Sequence, residues 1–97
     1  MNMNDLMMQA KEMQSRVSAA QDQLKAMSVK GLAGGGLAIV EMSGTYELKK
    51  LTLNPDLAHE DIATIEQVIT AAFNDAKKKA EVLIDKTMST ATSDLNL

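Results

Sequence analysis

Gly31-Leu32-Ala33-Gly34-Gly35-Gly36-Leu37 divides this chain into two parts with different hydrophobic periodicity. Before this run, apolar residues recur every three or four positions, which is typical of a helix. After it they alternate, as in a β-strand. Four of the five glycines lie in the run and permit backbone angles that residues with a Cβ avoid. We therefore expect a glycine hinge at which the backbone leaves a helix and enters a sheet.

The same run raises the question of a phosphate-binding loop. Such a loop connects a strand to a helix and carries Lys and then Ser or Thr directly after its last glycine. Here Leu37 and Ala38 follow Gly36, and the run lies between a predicted helix and a predicted strand. The pattern favours a structural hinge over a nucleotide site.

The composition limits the class of protein. A chain of 97 residues forms one domain with a modest core, and residues 1–97 are treated as a single domain. The absence of cysteine excludes disulfides and thiolate metal sites and fits a reducing compartment. No basic segment followed by an apolar one marks a signal peptide, and no stretch is apolar enough for a membrane span. We expect a cytoplasmic protein.

The balance of charges does not by itself favour nucleic acid as a partner. Ten basic and thirteen acidic residues give a net charge of −3. Tyr46 and Phe73 are the only aromatic residues, too few for the base-stacking surface of a single-strand binder.

A heptad pattern predicts a first helix over residues 3–27. Its apolar positions, which we call the heptad seam, are Met3, Leu6, Ala10, Met13, Val17, Ala20, Leu24 and Met27. Methionine fills uneven gaps between helices because its side chain is flexible. We interpret the seam as a helix-packing surface, with an adaptable protein-binding face as the alternative.

The hinge and an antiparallel sheet of two or three strands are predicted over residues 28–54. Residues 37–42 and 45–53 are the two clear strands, joined by a tight turn at Ser43-Gly44. Residues 28–32 are a candidate third strand. The apolar phase slips at Lys49-Lys50, which indicates a bulge.

A second long helix is predicted over residues 60–88. It begins near Glu60 or Asp61, whose carboxylates suit a first helical turn. Its first half has a broad apolar stripe, which indicates burial by a sheet, and its second half a narrower one. Residues 89–97 are expected to be a frayed tail.

The lengths of the two helices predict an elongated molecule. At 1.5 Å per residue they span ~37 Å and ~45 Å, whereas a compact domain of this size is only ~32 Å across. Each helix must project, and its apolar stripe needs cover from the other helix or from a second chain. We predict an α+β fold, α-β-β-β-α, in a twofold dimer with projecting helical arms.

Several local strings occur in an order that is specific to one family. They are Leu6-Met7 and Gln9-Ala10 in the first helix, Gly31 with Ala33-Gly34-Gly35-Gly36-Leu37, Gly44, Leu53-Asn54-Pro55, Glu60-Asp61, and Ala71-Ala72-Phe73-Asn74-Asp75-Ala76. Over about residues 3–88 the chain resembles the YbaB/EbfC family of bacterial nucleoid-associated proteins.

The resemblance implies a function. It implies a homodimer that binds double-stranded DNA with low sequence specificity, organises the nucleoid and influences gene expression. It also implies a cytoplasmic location at the nucleoid, with no enzymatic activity, no cofactor, no membrane and no small-molecule substrate.

Basic residues of the two helices and of the hinge are the candidates for contacts with DNA phosphates. They are Lys11, Arg16, Lys25, Lys30, Lys77, Lys78, Lys79 and Lys86. Lys79 and Lys86 share one side of the second helix because they lie seven residues apart. Acidic residues at helical spacing, such as Asp75 before Lys79, equally fit a solvated helix with ion pairs.

Two other interpretations compete with DNA binding. His59 lies near Asp56, Glu60 and Asp61, but a polar helix-entry loop explains these residues better than a metal or acid–base site. A DNA-free dimeric adaptor would use the Met-rich seam to recruit a partner helix, and the acidic balance favours it.

Overall fold

The computed structural model describes residues 2–93. The elements are α1 (Met3–Ala26), β1 (Ser28–Ala33), β2 (Ala38–Ser43), β3 (Leu48–Leu53), a 3-10 helix (Pro55–His59) and α2 (Ile62–Ser93). The three strands form one antiparallel sheet in the order β1-β2-β3. The predicted α+β fold, including the third strand, is confirmed.

Helix α1 leads into the sheet without a glycine. The Asn2 side chain caps its start by accepting a hydrogen bond of 2.9 Å from the Asp5 backbone N–H. At the other end, Met27 is extended, and its N–H bonds to the carbonyls of Gln23 and Leu24. Strand β1 begins at the next residue, so the predicted helix-to-sheet hinge is wrong.

The glycine run instead forms the hairpin between β1 and β2. Gly34, Gly35 and Gly36 have φ angles of 64°, 69° and 95°. Consecutive positive φ angles reverse the chain between two antiparallel strands, and only glycine adopts them without steric cost. The run therefore marks a strand-to-strand reversal.

A tight turn follows β2 at Ser43-Gly44, as predicted, with the Tyr46 N–H donating to the Ser43 carbonyl at 3.1 Å, but β3 begins at Leu48 and not at residue 45. The Ser43 hydroxyl holds this loop because its Oγ accepts hydrogen bonds of 3.1 Å from the backbone N–H groups of Thr45 and Glu47. Tyr46 adopts a positive φ of 66° within it. The Ser43 N–H donates to the Glu47 carbonyl at 2.8 Å, so Glu47 still pairs with the end of β2, and the regular strand begins at the next residue.

The predicted slip in strand phase is confirmed. Glu41 pairs with Lys50, whereas Met42 pairs with Leu48, so Lys49 is the extra residue of a bulge. The bulge keeps leucines on one face of β3 on both sides of the irregularity.

The core lies between α2 and one face of the sheet. Its buried residues are Ala72, Ala76 and Ala80 of α2 and Ala38, Val40 and Met42 of β2. Helix α2 approaches β1 so closely at Gly31 that an added Cβ would overlap the backbone of Ala72 and Ala76. Helix α2 packs on β1 and β2, and all six residues of β3 are exposed.

Helix α2 continues past its predicted end at residue 88. The hydroxyls of Thr90 and Thr92 donate to the carbonyls of Lys86 and Met88, at 3.0 and 3.1 Å. These polar side chains are therefore satisfied within the helix and do not end it. The prediction of a frayed tail is wrong for residues 89–93, and residues 94–97 lie outside the described residues.

The molecule is elongated, as its helix lengths predicted. It measures 68 × 17 × 16 Å, and its radius of gyration of 19.1 Å exceeds the ~12.5 Å of a compact domain of this length. The heptad seam is buried only near the sheet: Leu24 is 2% exposed, whereas Leu6 is 50% exposed. The prediction of projecting helices is confirmed.

Candidate nucleic-acid interface

The two helices run antiparallel beyond the sheet. Helix α1 arrives at the sheet at Leu24, whose carbonyl accepts a hydrogen bond of 2.9 Å from the Gly44 N–H. Helix α2 leaves the sheet after Ala80, its last core residue. We call the segment formed by α1 and residues 81–93 of α2 the arm.

A groove of about 410 Å³ lies between the two helices of the arm. Arg16 of α1 and Lys86 of α2 both line it, together with the polar side chains of Gln23 and Thr87. Guanidinium, ammonium, amide and hydroxyl groups all donate hydrogen bonds to phosphate oxygens. The fold thus brings two predicted cations from distant parts of the sequence into one open groove.

An ion pair restrains the Arg16 side chain. Its guanidinium lies 3.1 Å from the Glu12 carboxylate, one helical turn earlier. The side chains of Arg16 and Glu12 are 34% and 55% exposed. An exposed pair of this kind contributes only about 0–1 kcal/mol. A phosphate contact made by this guanidinium would compete with the Glu12 carboxylate.

Lys79 lies on the flank of α2 that faces β1. Its Nζ lies 3.0 Å from the Asp75 carboxylate and donates to the Lys30 carbonyl at 2.9 Å. The predicted spacing of Asp75 and Lys79 therefore produces an ion pair. Lys79 therefore links α2 to β1, even though it lies on the same side of the helix as Lys86.

Asp75 completes this network. Its Oδ2 accepts a hydrogen bond of 2.9 Å from the Leu32 backbone N–H. The Leu32 N–H and then the Lys79 ammonium hold the pKa of the Asp75 carboxyl below its ordinary value, because both stabilise the ionised form.

The other predicted cations are exposed and spread over the molecule: Lys11, Lys25, Lys77 and Lys78. Lys11 and Lys25 lie fourteen residues apart, which is ~21 Å along α1. Lys77 and Lys78 point ~100° apart around α2. In residues 2–93, Arg16 and Lys86 line one groove, and the Lys79 ammonium contacts the Lys30 carbonyl.

The sequence of nearly the whole chain identifies its family. The sequence profile of the YbaB/EbfC DNA-binding family matches residues 1–95. This chain belongs to the YbaB/EbfC family. A nucleoid-associated protein of Acinetobacter baumannii (strain ACICU) is 41% identical over 101 residues, covering 100% of this chain and 93% of the relative. A nucleoid-associated protein of Legionella pneumophila (strain Corby) is 38% identical over 96 residues, covering 99% of this chain and 86% of the relative.

A solved structure shares the fold of this YbaB/EbfC member. It is the crystal structure of an uncharacterized protein from Helicobacter pylori, with a TM-score of 0.79 and 24% identity. The match covers 89% of this chain and 91% of that chain. It supports the arrangement of the sheet and the projecting helices.

Sequence reasoning missed two lysines of this YbaB/EbfC member. Lys50 lies in register with Glu41 and Lys30, so these three side chains form a row across the sheet face turned away from α2. Lys49 donates to the Met27 carbonyl at 3.4 Å, where the helix dipole of α1 favours a cation. Strand alternation gives the face of each residue, but only the register shows that Lys30 and Lys50 share a row.

The segment around His59 forms the entry to α2. His59 ends the 3-10 helix and is exposed. Asp61 caps α2 by accepting a hydrogen bond of 2.8 Å from the Thr64 N–H. Hydrogen bonds from the Thr64 side chain and backbone lower the pKa of Asp61. Among residues 2–93, no group of three metal-ligating side chains is found, and no helix is long and apolar enough to cross a membrane.

Proposed function

We propose that this protein binds double-stranded DNA as a homodimer with low sequence specificity, in the nucleoid of a bacterial cytoplasm. The observation that carries the proposal is the groove of the arm, which Arg16 and Lys86 line from two different helices. Membership of a family described as DNA-binding supports it. The consequences would be organisation of the nucleoid and an influence on gene expression.

Binding would use the phosphates of DNA. The net charge of −3 is an average over the chain, and the groove brings Arg16 and Lys86 together on the projecting arm. A homodimer carries the groove twice, so one duplex would meet cations at two places. Each phosphate that a cation neutralises releases condensed counterions, so affinity must fall as salt rises.

Low sequence specificity is expected because the chain has few side chains that can read DNA bases. Arg16 is the only arginine of the chain. Bidentate contacts from arginine to guanine are the commonest specific contacts in the major groove, and a single arginine in an ion pair provides few of them. Lysine contacts to phosphates position a protein without reading bases.

The test is a titration of purified protein against two labelled duplexes of equal length and unrelated sequence. We expect equal affinities and a slope of about −4 in a plot of log affinity against log salt, since four cations of the dimer would each contact one phosphate. Size-exclusion chromatography with light scattering should give the mass of two chains. Absence of binding at low salt would refute the proposal.

A DNA-free adaptor is the second candidate. The observation that favours it is the exposed start of the heptad seam and its neighbours, Met3, Leu6, Met7 and Met8, which are all at least half exposed. An amphipathic helix of a partner could pack on these residues. A dimer that binds neither duplex at low salt, but binds an apolar helical peptide through these residues, would support the adaptor.

A further inference from the structure

The Lys86 ammonium is available to a ligand in the arm groove. Among residues 2–93 it forms no hydrogen bond and no ion pair. A carboxylate one helical turn away could pair with it, but none is present there. The residues at these positions are Val82, Leu83, Ser89 and Thr90.

A lysine in this situation is a nucleophile as well as a cation. Lysine reacts with acyl donors through its unprotonated amine, and acetylation removes its charge. The chain contains no cysteine, so no thiol competes for an acyl group. Lysine amines therefore give the stable acylation product of this protein, an amide.

The groove also offers hydrogen-bond donors for a phosphate group. Arg16, Gln23 and Thr87 line it together with Lys86. Guanidinium, amide and hydroxyl groups all donate to phosphate oxygens, and bonds to a charged acceptor are the stronger ones. In the part of the chain that the structure describes, the Gln23 and Thr87 side chains make no hydrogen bond, so both can turn to a ligand.

An acyl phosphate matches both features of the groove. Its phosphate suits the donors, and its small acyl group suits the apolar lining of Ala19 and Leu83. The groove of about 410 Å³ has room for so small a molecule, since a water molecule in the liquid takes up only about 30 Å³. Arg16 lies on α1 and Lys86 on α2, so the amine and the strongest phosphate donor come from opposite walls.

We infer that Lys86 is an acylation site at which an acyl phosphate binds through its phosphate and transfers its acyl group to the lysine. The Lys86 Nζ attacks the acyl carbon and forms a bond with it, and the bond between that carbon and the bridging oxygen breaks. The bridging oxygen keeps the electron pair and leaves as inorganic phosphate, which takes up one proton of the amine. The protein is the acceptor of the group and does not turn over.

Binding of the donor explains why Lys86 should react before other lysines. A held donor turns a collision into a step within one complex. Lys11 provides the comparison, because it is also exposed and also has no acidic residue one helical turn away. Each of the two lysines has one acidic neighbour in sequence, Glu12 and Asp85. Lys11 does not line the groove and should react only by collision.

Acetylation would remove one cation from the arm groove. This consequence rests on the proposed function, in which the same groove binds DNA phosphates. A dimer acetylated at both Lys86 side chains would lose about two phosphate contacts, so the log–log salt slope should become less negative by about 2. Bound DNA should in turn protect Lys86, because its phosphates and the acyl phosphate use the same donors.

The first test follows the acetylation of the purified full chain by acetyl phosphate in the absence of DNA. Peptide mass mapping over time gives separate rates for Lys86 and Lys11. We expect Lys86 to react roughly tenfold faster, the factor that one hydrogen bond to a charged phosphate can supply. Equal rates at the two lysines would overturn the inference.

Acetic anhydride is the matched reagent, because it transfers the same acyl group without a phosphate. With the anhydride, Lys86 and Lys11 should react at similar rates. A preference for Lys86 that persists with the anhydride would show that phosphate binding is not its cause, which would overturn the inference as well.

Two variants test the phosphate donor. Arg16→Gln should lower the rate at Lys86 to that of Lys11 with acetyl phosphate and leave the rates with the anhydride unchanged. Glu12→Gln should raise the rate at Lys86, because the Glu12 carboxylate competes for the Arg16 guanidinium. Circular dichroism checks that both variants stay helical. An Arg16→Gln protein that keeps the full preference for Lys86 would contradict the binding of phosphate in the groove.

Addition of a DNA duplex separates this inference from the proposed function. The duplex should slow acetylation at Lys86 and leave the rate at Lys11 unchanged. Selective acetylation at Lys86 in a protein that binds no DNA would refute the proposed function and leave the acylation site standing. DNA binding without a preference for Lys86 would overturn the acylation site alone.

Discussion

The Asp75 carboxylate in α2 and the Leu32 backbone N–H in β1 are joined by a hydrogen bond of 2.9 Å, across 43 residues of sequence. Lys79 reinforces the contact by pairing with Asp75 and bonding to the Lys30 carbonyl. This network links the long helix to the edge of the sheet. Its carboxylate makes the link sensitive to acid.

Asp75 should make folding stability depend on pH. Its pKa is lowered in the folded state, so its stabilisation is complete above its unfolded pKa of about 4 and is lost as pH falls through the lowered value. Asp75→Asn should therefore lose less stability than wild type between pH 5 and pH 2, roughly the range in which such a carboxyl titrates. Urea unfolding at a series of pH values measures this.

The matched control for the acid effect is Asp61→Asn. The pKa of Asp61 is lowered by Thr64, with no link to β1. The changes that the two substitutions make to the free energy of unfolding should add, because the two sites share no partner. An Asp75→Asn protein with the same acid dependence as wild type would show that this carboxylate does not stabilise the fold.

Gly31 should tolerate no side chain. In Gly31→Ala the added Cβ would meet the backbone of Ala72 and Ala76, and a helix backbone cannot move locally as a flexible side chain can. We expect the free energy of unfolding to fall by about 1–3 kcal/mol or more, as for overpacked cores. Chemical denaturation measures the loss.

Gly35→Asn controls for the loss of a glycine. Gly35 has φ +69°, and nothing lies within 4 Å of an added Cβ. Asparagine tolerates this conformation better than other residues. An effect as large as that of Gly31→Ala would contradict the close approach of α2 as the cause.

Two leucines of the heptad seam should differ in their effect on stability. Leu24 is 2% exposed, so Leu24→Ala should cost about 2–5 kcal/mol by leaving a cavity. Leu6 is 50% exposed, so Leu6→Ala should change stability by no more than about 0.5 kcal/mol. Equal losses in thermal or denaturant unfolding would mean that the start of the seam is covered in solution.

The arm groove should account for the salt dependence of DNA binding. Removing one cation per protomer removes about two phosphate contacts per dimer, so Arg16→Gln and Lys86→Gln should each make the log–log slope less negative by about 2. Titrations of each variant at several salt concentrations give the slope.

Lys79→Gln is the control for the groove. Lys79 bonds to Asp75 and to the Lys30 carbonyl. We expect this variant to lower stability and leave the salt slope unchanged. A larger change in slope for Lys79→Gln than for Lys86→Gln would place the DNA contacts beside β1 and away from the groove.

Local sequence patterns were sufficient for the elements of the fold. The heptad spacing predicted α1, the alternation after Gly36 predicted β2 and β3, and the phase slip at Lys49-Lys50 predicted the bulge. Each pattern reports neighbours within one element, where periodicity follows from backbone geometry. The helix lengths predicted the elongated shape because a rigid helix cannot shorten to fit a globule.

The role of the glycine run could not be predicted in the same way. Positive φ angles suit a helix end and a hairpin equally, and the choice depended on Met27 leaving α1 in an extended conformation. Likewise, the sequence around Thr90 and Thr92 is typical of a frayed helix end. In the structure their hydroxyls donate hydrogen bonds to carbonyls of the preceding turn, so the helix continues.

By itself, the sequence determined the order of elements, the family and a set of eight candidate cations. Only the tertiary structure decided which of those cations lie together: it placed Arg16 and Lys86 in one groove and bonded Lys79 to the Lys30 carbonyl of β1. The physical reason is that periodicity orients a side chain on its own element. Which side chains meet depends on how separate elements pack, and here that depends on the close approach of α2 to the sheet at Gly31.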